Sequence, residues 1–256
     1  MHRVFAKIHE FEIYSYGVFL VLGFLAGIGF AIWRNRNRVV KNDDILDIGF
    51  YLIIGGVVGA RFVYVLLHLS EYLKHPISMF NVREGGLAWH GGFLGGLVAF
   101  IIYSKVKKIN LYEFLDLCAA PVILGLAIGR IGCFLNGCCL GMETTSHWGM
   151  VFRDAGYVTP RYPTQLYELV LDLAVVVFLL WWEKRKKFTG EIILMMFCSY
   201  SVVRFIVEIF RESPPRIAGL SLAQYSSIIL FVVTALIVYL LRKKAPDAKK
   251  SLSKKG

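Results

Sequence analysis

Long apolar segments separated by short polar ones recur along the whole chain. Most are close to 20 residues, the length that an α-helix needs to cross the hydrocarbon core of a bilayer. Their positions predict seven transmembrane helices, at about residues 13–32, 45–69, 87–103, 111–128, 164–182, 190–210 and 220–241. We therefore expect an all-α polytopic membrane protein, with one transmembrane domain over residues 1–241 and a basic, disordered tail over residues 242–256.

The basic residues predict how these helices are oriented, because lysine and arginine accumulate in cytoplasmic loops. Of the 29 basic residues, 18 fall in one set of alternating loops together with the tail, and nine fall in the other set. Four basic residues follow the first helix and only two precede it, which is unlike a cleaved signal peptide. The N-terminus is thus predicted to lie outside and the C-terminus in the cytoplasm.

Composition agrees with a membrane protein. The chain is 57% hydrophobic and 18% charged, whereas soluble domains average about 25% charged residues. A formal charge of +11 would suggest nucleic acid for a soluble protein. Here the charge lies in short clusters between apolar segments, so we expect membrane lipid and no nucleic acid as partner.

The ionisable residues within or beside the predicted helices all fall toward the outer side. A charge at the bilayer centre costs about 2.5–3.5 kcal/mol, so each such residue needs a partner. The set predicts a polar, net positive cavity that opens toward the outer leaflet, although ion pairs that only hold the bundle together are an alternative. Its members are Tyr14, Tyr16, Arg61, His90, Arg130, Arg204, Glu208 and Arg211.

The segment RFIVEIFR in the sixth helix carries three of these residues. Arg204, Glu208 and Arg211 are spaced i, i+4, i+7 and therefore share one helical face. Glu208 can pair with either arginine, which leaves one positive charge over.

The stretch GRIGCFLNGCCLG, residues 129–141, follows the fourth apolar segment. It is too rich in glycine for a helix interior, and Arg130 needs an anionic partner or solvent. One interpretation is that Arg130 binds a phosphate-bearing lipid at the outer face. The other is a capping loop whose arginine only pairs within the protein.

His90 precedes glycines at four-residue spacing, which allow another backbone or a lipid headgroup to approach a helix closely. Among arginines at the same depth, His90 is a candidate general base or hydrogen-bond donor.

The segment RYPTQLYE opens the fifth helix. Thr164 is expected to cap this helix, and Glu168 in its first turn favours the helix dipole. The alternative is that Gln165 or Tyr167 reaches the cavity.

The five cysteines fall into two groups. Cys118 and Cys198 lie inside predicted helices and are expected to pack there. Cys133, Cys138 and Cys139 lie on the outer side, where oxidation is permitted, as structural thiols or with a disulfide from Cys133 to Cys138 or Cys139. A zinc site needs about four ligands, and no second cluster has zinc spacing. We therefore expect no metal and no cofactor.

Seven motifs, in this order, resemble those of the bacterial prolipoprotein diacylglyceryl transferases over nearly the whole chain. They are YSYG near Tyr16, GARFVYV from Gly59, WHGG at His90, GRIGCFLNGCCLG, RYPTQLYE, RFIVEIFR and GLSLAQYSS from Gly219.

The family signature in the fourth motif has the form G-R-x-G-N-F-x-N-x-E-x-x-G. Two positions depart from it, because Cys133 stands where the family has Asn and Cys138 where it has Glu. The positions that fit are Gly129, Arg130, Gly132, Phe134, Asn136 and Gly141.

The resemblance implies transfer of a diacylglyceryl group from phosphatidylglycerol to the lipobox cysteine of a prolipoprotein. A thioether forms and glycerol phosphate leaves, as the first step of lipoprotein maturation. The expected place is the bacterial inner membrane, with the active site toward the outer leaflet. Two alternatives stay open: a diverged member that transfers another lipid group, and a non-enzymatic lipid or anion transporter, which would be expected to show an inverted repeat.

The transfer chemistry assigns roles to the outer-side residues, because a thiolate attacks carbon and an anionic phosphate leaves. The catalytic candidates are His90, Arg204 and Tyr16. The candidates for binding the lipid phosphate are Arg130, Arg204, Gly91 and Gly92. The supporting residues are Glu208, Arg211, Arg61, Asn136 and Gly141.

Overall fold

The computed structural model describes residues 3–8, 11–37, 39–73, 76–80, 86–211 and 216–245. Within them all seven predicted helices are present. The sequence did not predict one short α-helix, two small antiparallel hairpins and three 3₁₀ turns, at Asn35–Asn37, Pro76–Phe80 and Arg153–Ala155. The elements are β1 Val4–Ile8, β2 Phe11–Tyr14, α1 Ser15–Arg34, α2 Asn42–Leu67, α3 Leu69–Tyr72, α4 Trp89–Val106, α5 Leu111–Asn136, α6 Thr164–Glu183, α7 Glu191–Ile209, β3 Arg216–Ile217, β4 Leu220–Ser221 and α8 Leu222–Lys244.

Six helices, α1, α2, α5, α6, α7 and α8, are long and apolar enough to cross a membrane. The helix α4, which holds the third predicted span, is not among these six. The all-α, multi-pass membrane class is thus confirmed. The orientation of the termini stays a prediction.

Two helix ends differ from the prediction. The helix α5 continues through the glycine-rich stretch to Asn136 instead of ending near residue 128. A Cβ at Gly132 would lie 2.9 Å from the Cβ of Phe19 in α1, so this glycine permits close helix packing within a continuous helix. The helix α8 includes Lys244, and residues 246–256 of the predicted tail lie outside the described residues.

The chain divides into two units, and the smaller one comprises residues 35–114. Its helices α2 and α4 pack through glycines. A Cβ at Gly55 would lie 2.7 Å from the carbonyl oxygen of Gly95. A Cβ at Gly59 would lie 2.7 Å from the Cα of Gly95. The glycines of α4 were expected to admit either another backbone or a lipid headgroup. In the structure it is the backbone of α2 that approaches them.

The larger unit comprises residues 1–34 and 115–256. Its core is formed where α5, α6 and α7 pack, around fully buried residues such as Ile123, Leu179 and Ile192. The helices α1 and α8 bury little of their surface within the protein. Only 17% of the apolar stretch of α1 and 22% of that of α8 are buried. Apolar helix surfaces of this extent are suited to contact with lipid chains.

A buried glutamate joins three segments at the predicted cytoplasmic side of the larger unit. Glu191 is fully buried and accepts hydrogen bonds from Trp182 Nε1 at 2.8 Å, Arg242 Nε at 2.8 Å and the backbone N–H of Lys187 at 2.7 Å. It therefore links α6, the following loop and the end of α8 to the start of α7.

We expect Glu191→Gln to lower the free energy of unfolding by about 1–3 kcal/mol, because a charge-assisted acceptor becomes a neutral one. Thermal unfolding of the purified chain in detergent measures this loss. The control Glu12→Gln removes the charge of an exposed residue that pairs with Lys7 and should change stability by less than about 1 kcal/mol. Equal melting temperatures for Glu191→Gln and the unaltered chain would contradict the linking role.

Candidate active site

The arginine face of α7 forms as the spacing predicted. Arg204 Nη2 lies 3.0 Å from Glu208 Oε2, and Ser221 Oγ donates to Glu208 Oε1 at 3.0 Å. The Glu208 side chain is thus buried against Arg204 and Ser221, whereas 26% of the Arg204 side chain is exposed. Arg211 follows in the next turn, and its backbone bridges to that of Gly141.

Arg204 also has an unsatisfied donor. Its Nη1 is buried and has no hydrogen-bond partner among the described residues. A buried donor without a partner costs about 1–3 kcal/mol, and a catalytic role or a bound water or ion is what usually accounts for such a group. The position therefore suits an anionic ligand.

Ser221 and Gln224 also contribute to this site, a role that was not predicted from the sequence. Ser221 Oγ accepts from the backbone N–H of Gln224 at 3.2 Å, and Gln224 Oε1 accepts from that of Ser221 at 3.0 Å. This capping box fixes the first turn of α8 while Ser221 reaches Glu208. The S-x-x-Q spacing before an apolar run is the signal that could have identified it.

Arg130 pairs within the protein through one nitrogen. Its Nη2 bonds to Glu168 Oε1, and the Glu168 side chain is 2% exposed while that of Arg130 is 18% exposed. The internal ion pair considered as an alternative is therefore present. Glu168 acts as the counter-charge of Arg130 and is more than a helix-dipole residue.

The expectation that Thr164 caps α6 is wrong. The N-cap is Pro163, without a side-chain cap hydrogen bond. Instead Thr164 Oγ1 donates to the carbonyl oxygen of Cys139 at 2.8 Å, and Gln165 Nε2 donates to that of Cys138 at 2.5 Å. The start of α6 thus holds the cysteine-containing loop, because these side chains point to the preceding segment and not to their own helix end.

Asp172 is a second buried carboxylate of α6 that was not predicted from the sequence. It is fully buried, lies one turn after Glu168, and neither carboxylate oxygen has a hydrogen-bond partner among the described residues. Tyr200 of α7 interacts electrostatically with Asp172, Arg130 and Arg204, so one region contains both arginines. An aspartate in the middle of an apolar helix was the available signal.

The three outer cysteines lie together where α5 ends. Their thiol sulfurs are within 4.8 Å of one another, and all three are free thiols, so the structure contains no disulfide among them. Hydrogen bonds with the Cys133 and Cys138 thiols, and then the charges of Arg211 and Arg130, lower the pKa of the Cys139 thiol.

Three other predicted residues lie in or beside this loop. Tyr16 in the first turn of α1 is 42% exposed and interacts electrostatically with Arg130 and the three thiols. Gly141 packs tightly, because a Cβ there would lie 2.6 Å from the carbonyl oxygen of Phe210. Asn136 is the last residue of α5 and is half-buried.

The remaining predicted residues belong to the smaller unit. Arg61 is buried and donates to the carbonyl oxygens of Ser78 at 2.6 Å, Met79 at 2.7 Å and Gly86 at 3.1 Å. It therefore ties α2 to residues 76–80 and to Gly86.

His90 is exposed in the first turn of α4, where its ring lies 5.1 Å from that of Trp89. A Cβ at Gly91 would lie 2.6 Å from the Cβ of Val63, so helix packing accounts for this glycine. The roles of His90, Gly91 and Gly92 in catalysis or lipid binding stay predictions.

Comparison with known proteins gives a family for the whole chain. The family model described as prolipoprotein diacylglyceryl transferase matches residues 3–240. The phosphatidylglycerol–prolipoprotein diacylglyceryl transferase of Geobacter sulfurreducens is 35% identical over 250 residues, which cover 94% of this chain and 95% of the relative.

Two further relatives carry the same name. The protein of Clostridioides difficile is 36% identical and covers 90% of this chain and 91% of its own. The protein of Bacillus cytotoxicus is 32% identical and covers 99% of this chain and 97% of its own.

Proposed function

The chain belongs to the prolipoprotein diacylglyceryl transferase family, and we propose how its residues carry out the reaction. It is a transferase that moves the diacylglyceryl group of phosphatidylglycerol to a prolipoprotein. The observation that carries this function is the family match over nearly the whole chain. It favours a transferase over the lipid or anion transporter considered above.

We propose that the acceptor is the lipobox cysteine of the prolipoprotein signal peptide. The cysteine thiolate attacks the glycerol carbon that bears the phosphoester, so that an S–C bond forms and the C–O bond to phosphate breaks. The products are a thioether and glycerol phosphate. The reaction takes place on the outer side of the bacterial inner membrane, in keeping with the predicted topology.

Arg204 is the proposed ligand of the phosphate group. Its unsatisfied Nη1 and its partly exposed side chain support this role, since a phosphate oxygen would supply the missing acceptor. Glu208 and Ser221 hold the guanidinium group in place. As the C–O bond breaks, negative charge develops on the departing phosphate and the guanidinium stabilises it.

Arg130 is the second proposed phosphate ligand. Glu168 occupies one of its nitrogens, and Tyr200 lies within electrostatic range of both arginines. Two guanidinium groups acting on the same region provide the positive field that an anionic leaving group needs. His90 stays a candidate base or substrate-orienting hydrogen-bond donor, and Tyr16 a candidate hydrogen-bonding residue.

We expect the purified chain, mixed with phosphatidylglycerol and a lipobox peptide, to increase the peptide mass by one diacylglyceryl group. Mass spectrometry detects the adduct, and released glycerol phosphate is measured in the same reaction. A peptide with serine in place of the cysteine is the matched control and should stay unmodified, because a hydroxyl is a far weaker nucleophile here. A folded preparation that forms no adduct would overturn the proposal.

A further inference from the structure

The three outer cysteines form a cluster that the transfer chemistry above does not use. Cys133 lies in the last turn of α5, which ends at Asn136, and Gly137 separates this end from Cys138 and Cys139. A left-handed residue at Gly137, with φ of 69°, reverses the chain, and the N–H of Cys138 donates back to the carbonyl oxygen of Cys133 at 3.2 Å. The turn thereby brings the three thiols together.

The loop is held from several sides. Thr164 and Gln165 bind the carbonyl oxygens of Cys139 and Cys138, and a Cβ at Gly137 would lie 2.5 Å from the Cβ of Ala155. Such outer contacts orient the residues of a metal site and preserve its geometry. The thiol arrangement is therefore built into the fold.

The distances suit a metal better than a disulfide. Zinc binds thiolates at about 2.3 Å in a tetrahedron, which places neighbouring sulfurs about 3.8 Å apart. The three sulfurs lie within 4.8 Å of one another, so shifts of about 1 Å or less complete the site. A disulfide would require two sulfurs about 2.05 Å apart and would leave the third thiol unused.

The surrounding charge also agrees with thiolate ligands. Three thiolates and one Zn²⁺ carry a net charge of −1, and Arg130 and Arg211 both act electrostatically on Cys139. Cys133 is buried, Cys138 is half-buried and Cys139 is exposed. The cluster thus has a closed side and an open side.

We propose that Cys133, Cys138 and Cys139 bind one Zn²⁺ ion and that its fourth position takes the thiolate of the prolipoprotein cysteine. The second part rests on the proposed function. Three protein ligands with an open position are the arrangement of catalytic zinc sites, and a thiol that coordinates zinc is deprotonated. The cluster lies one helical turn after Arg130 on α5, beside a proposed phosphate ligand.

The transfer then balances without another reagent. Zinc binds the substrate sulfur as its proton passes to solvent, and the bound thiolate attacks the glycerol carbon. The S–C bond forms, the C–O bond breaks, and glycerol phosphate leaves as an anion. The thioether product is a weaker ligand than the thiolate and dissociates from the metal.

The metal site is tested by measuring zinc in the purified chain by mass spectrometry and by competing it with a chelator. We expect about one zinc per chain, and at least tenfold weaker retention in Cys139→Ser. Cys118→Ser, which alters a cysteine elsewhere in α5, should retain the metal like the unaltered chain. Absence of zinc after loading, a disulfide among the three cysteines, or equal retention in Cys139→Ser would overturn the site.

The fourth ligand is tested on the Co²⁺-loaded chain, whose absorption reports its coordination. A lipobox peptide should change this spectrum, and the matched serine peptide should not. No change with the cysteine peptide would overturn the substrate-thiolate part.

The outcomes separate the two proposals. Full transfer activity by metal-free chain would overturn the role of zinc and leave the transferase function standing. A zinc-loaded chain that binds the peptide thiolate but never forms the adduct would support the site and overturn the transfer.

Discussion

Replacing Arg204 by lysine is expected to lower kcat/KM for transfer by about 10²–10³-fold, the effect of removing one donor from a transition-state anion. Lysine retains a positive charge that can pair with Glu208, so the fold should persist. The lysine ammonium group lacks the planar set of N–H donors of a guanidinium group, so it cannot bind a phosphate and Glu208 in the same way at once. The rate of glycerol phosphate release in lipid–detergent micelles measures the loss.

Arg242→Lys is the matched control for this experiment. Arg242 also pairs with a buried glutamate, Glu191, but it lies at the end of α8, the end predicted to be cytoplasmic. The same substitution there should leave kcat/KM within a few-fold of the unaltered chain. If both variants lost activity equally, the effect at Arg204 would be one of helix packing and not of phosphate binding.

Replacing Arg130 by alanine is expected to lower the rate of transfer by about 10³-fold. It is also expected to destabilise the protein. Glu168 is 2% exposed and would be left as an unpaired buried charge, which typically costs about 3–5 kcal/mol. Activity and thermal unfolding therefore need to be measured on the same preparations.

A double variant separates these two effects. Arg130→Met with Glu168→Gln removes both charges, and replacing a buried pair by neutral groups of similar size is often neutral for stability. We expect its melting temperature to return toward that of the unaltered chain while transfer stays lost. A double variant that regains activity would show that Arg130 serves only to neutralise Glu168.

The sequence predicted the helices well because their cause is local. A run of about 20 apolar residues forms a helix in a membrane wherever it occurs, since every backbone group must be satisfied within the segment. The pairing of Arg204 with Glu208 was predictable for the same reason, because residues four apart on a helix are neighbours whatever surrounds them.

Features that depend on a distant segment were predicted less well. The stretch from Gly129 was judged too rich in glycine for a helix interior, yet Gly132 lies inside α5, where α1 packs closely against it. Thr164 was expected to cap its own helix, but its hydroxyl meets the carbonyl oxygen of Cys139, 25 residues earlier. Local propensity could not anticipate either contact.

The cysteines show this limit most clearly. Cys133, Cys138 and Cys139 match no zinc spacing, so no metal was predicted from the sequence. Cys133 and Cys138 were noted only as replacing the Asn and Glu of the family signature. The turn at Gly137 and the hydrogen bonds from Thr164 and Gln165 place the three sulfurs together. The possible ligand set became visible only with that geometry.

By itself, the sequence determined the membrane class, the seven helices and the family motifs, because apolar length and residue order are properties of the chain alone. Only the tertiary structure decided that Arg130 pairs with Glu168, 38 residues away, that Ser221 supports Glu208, and that three thiols meet beside α5. These are contacts between segments that approach one another only after the helices have packed, so no local pattern of residues encodes them.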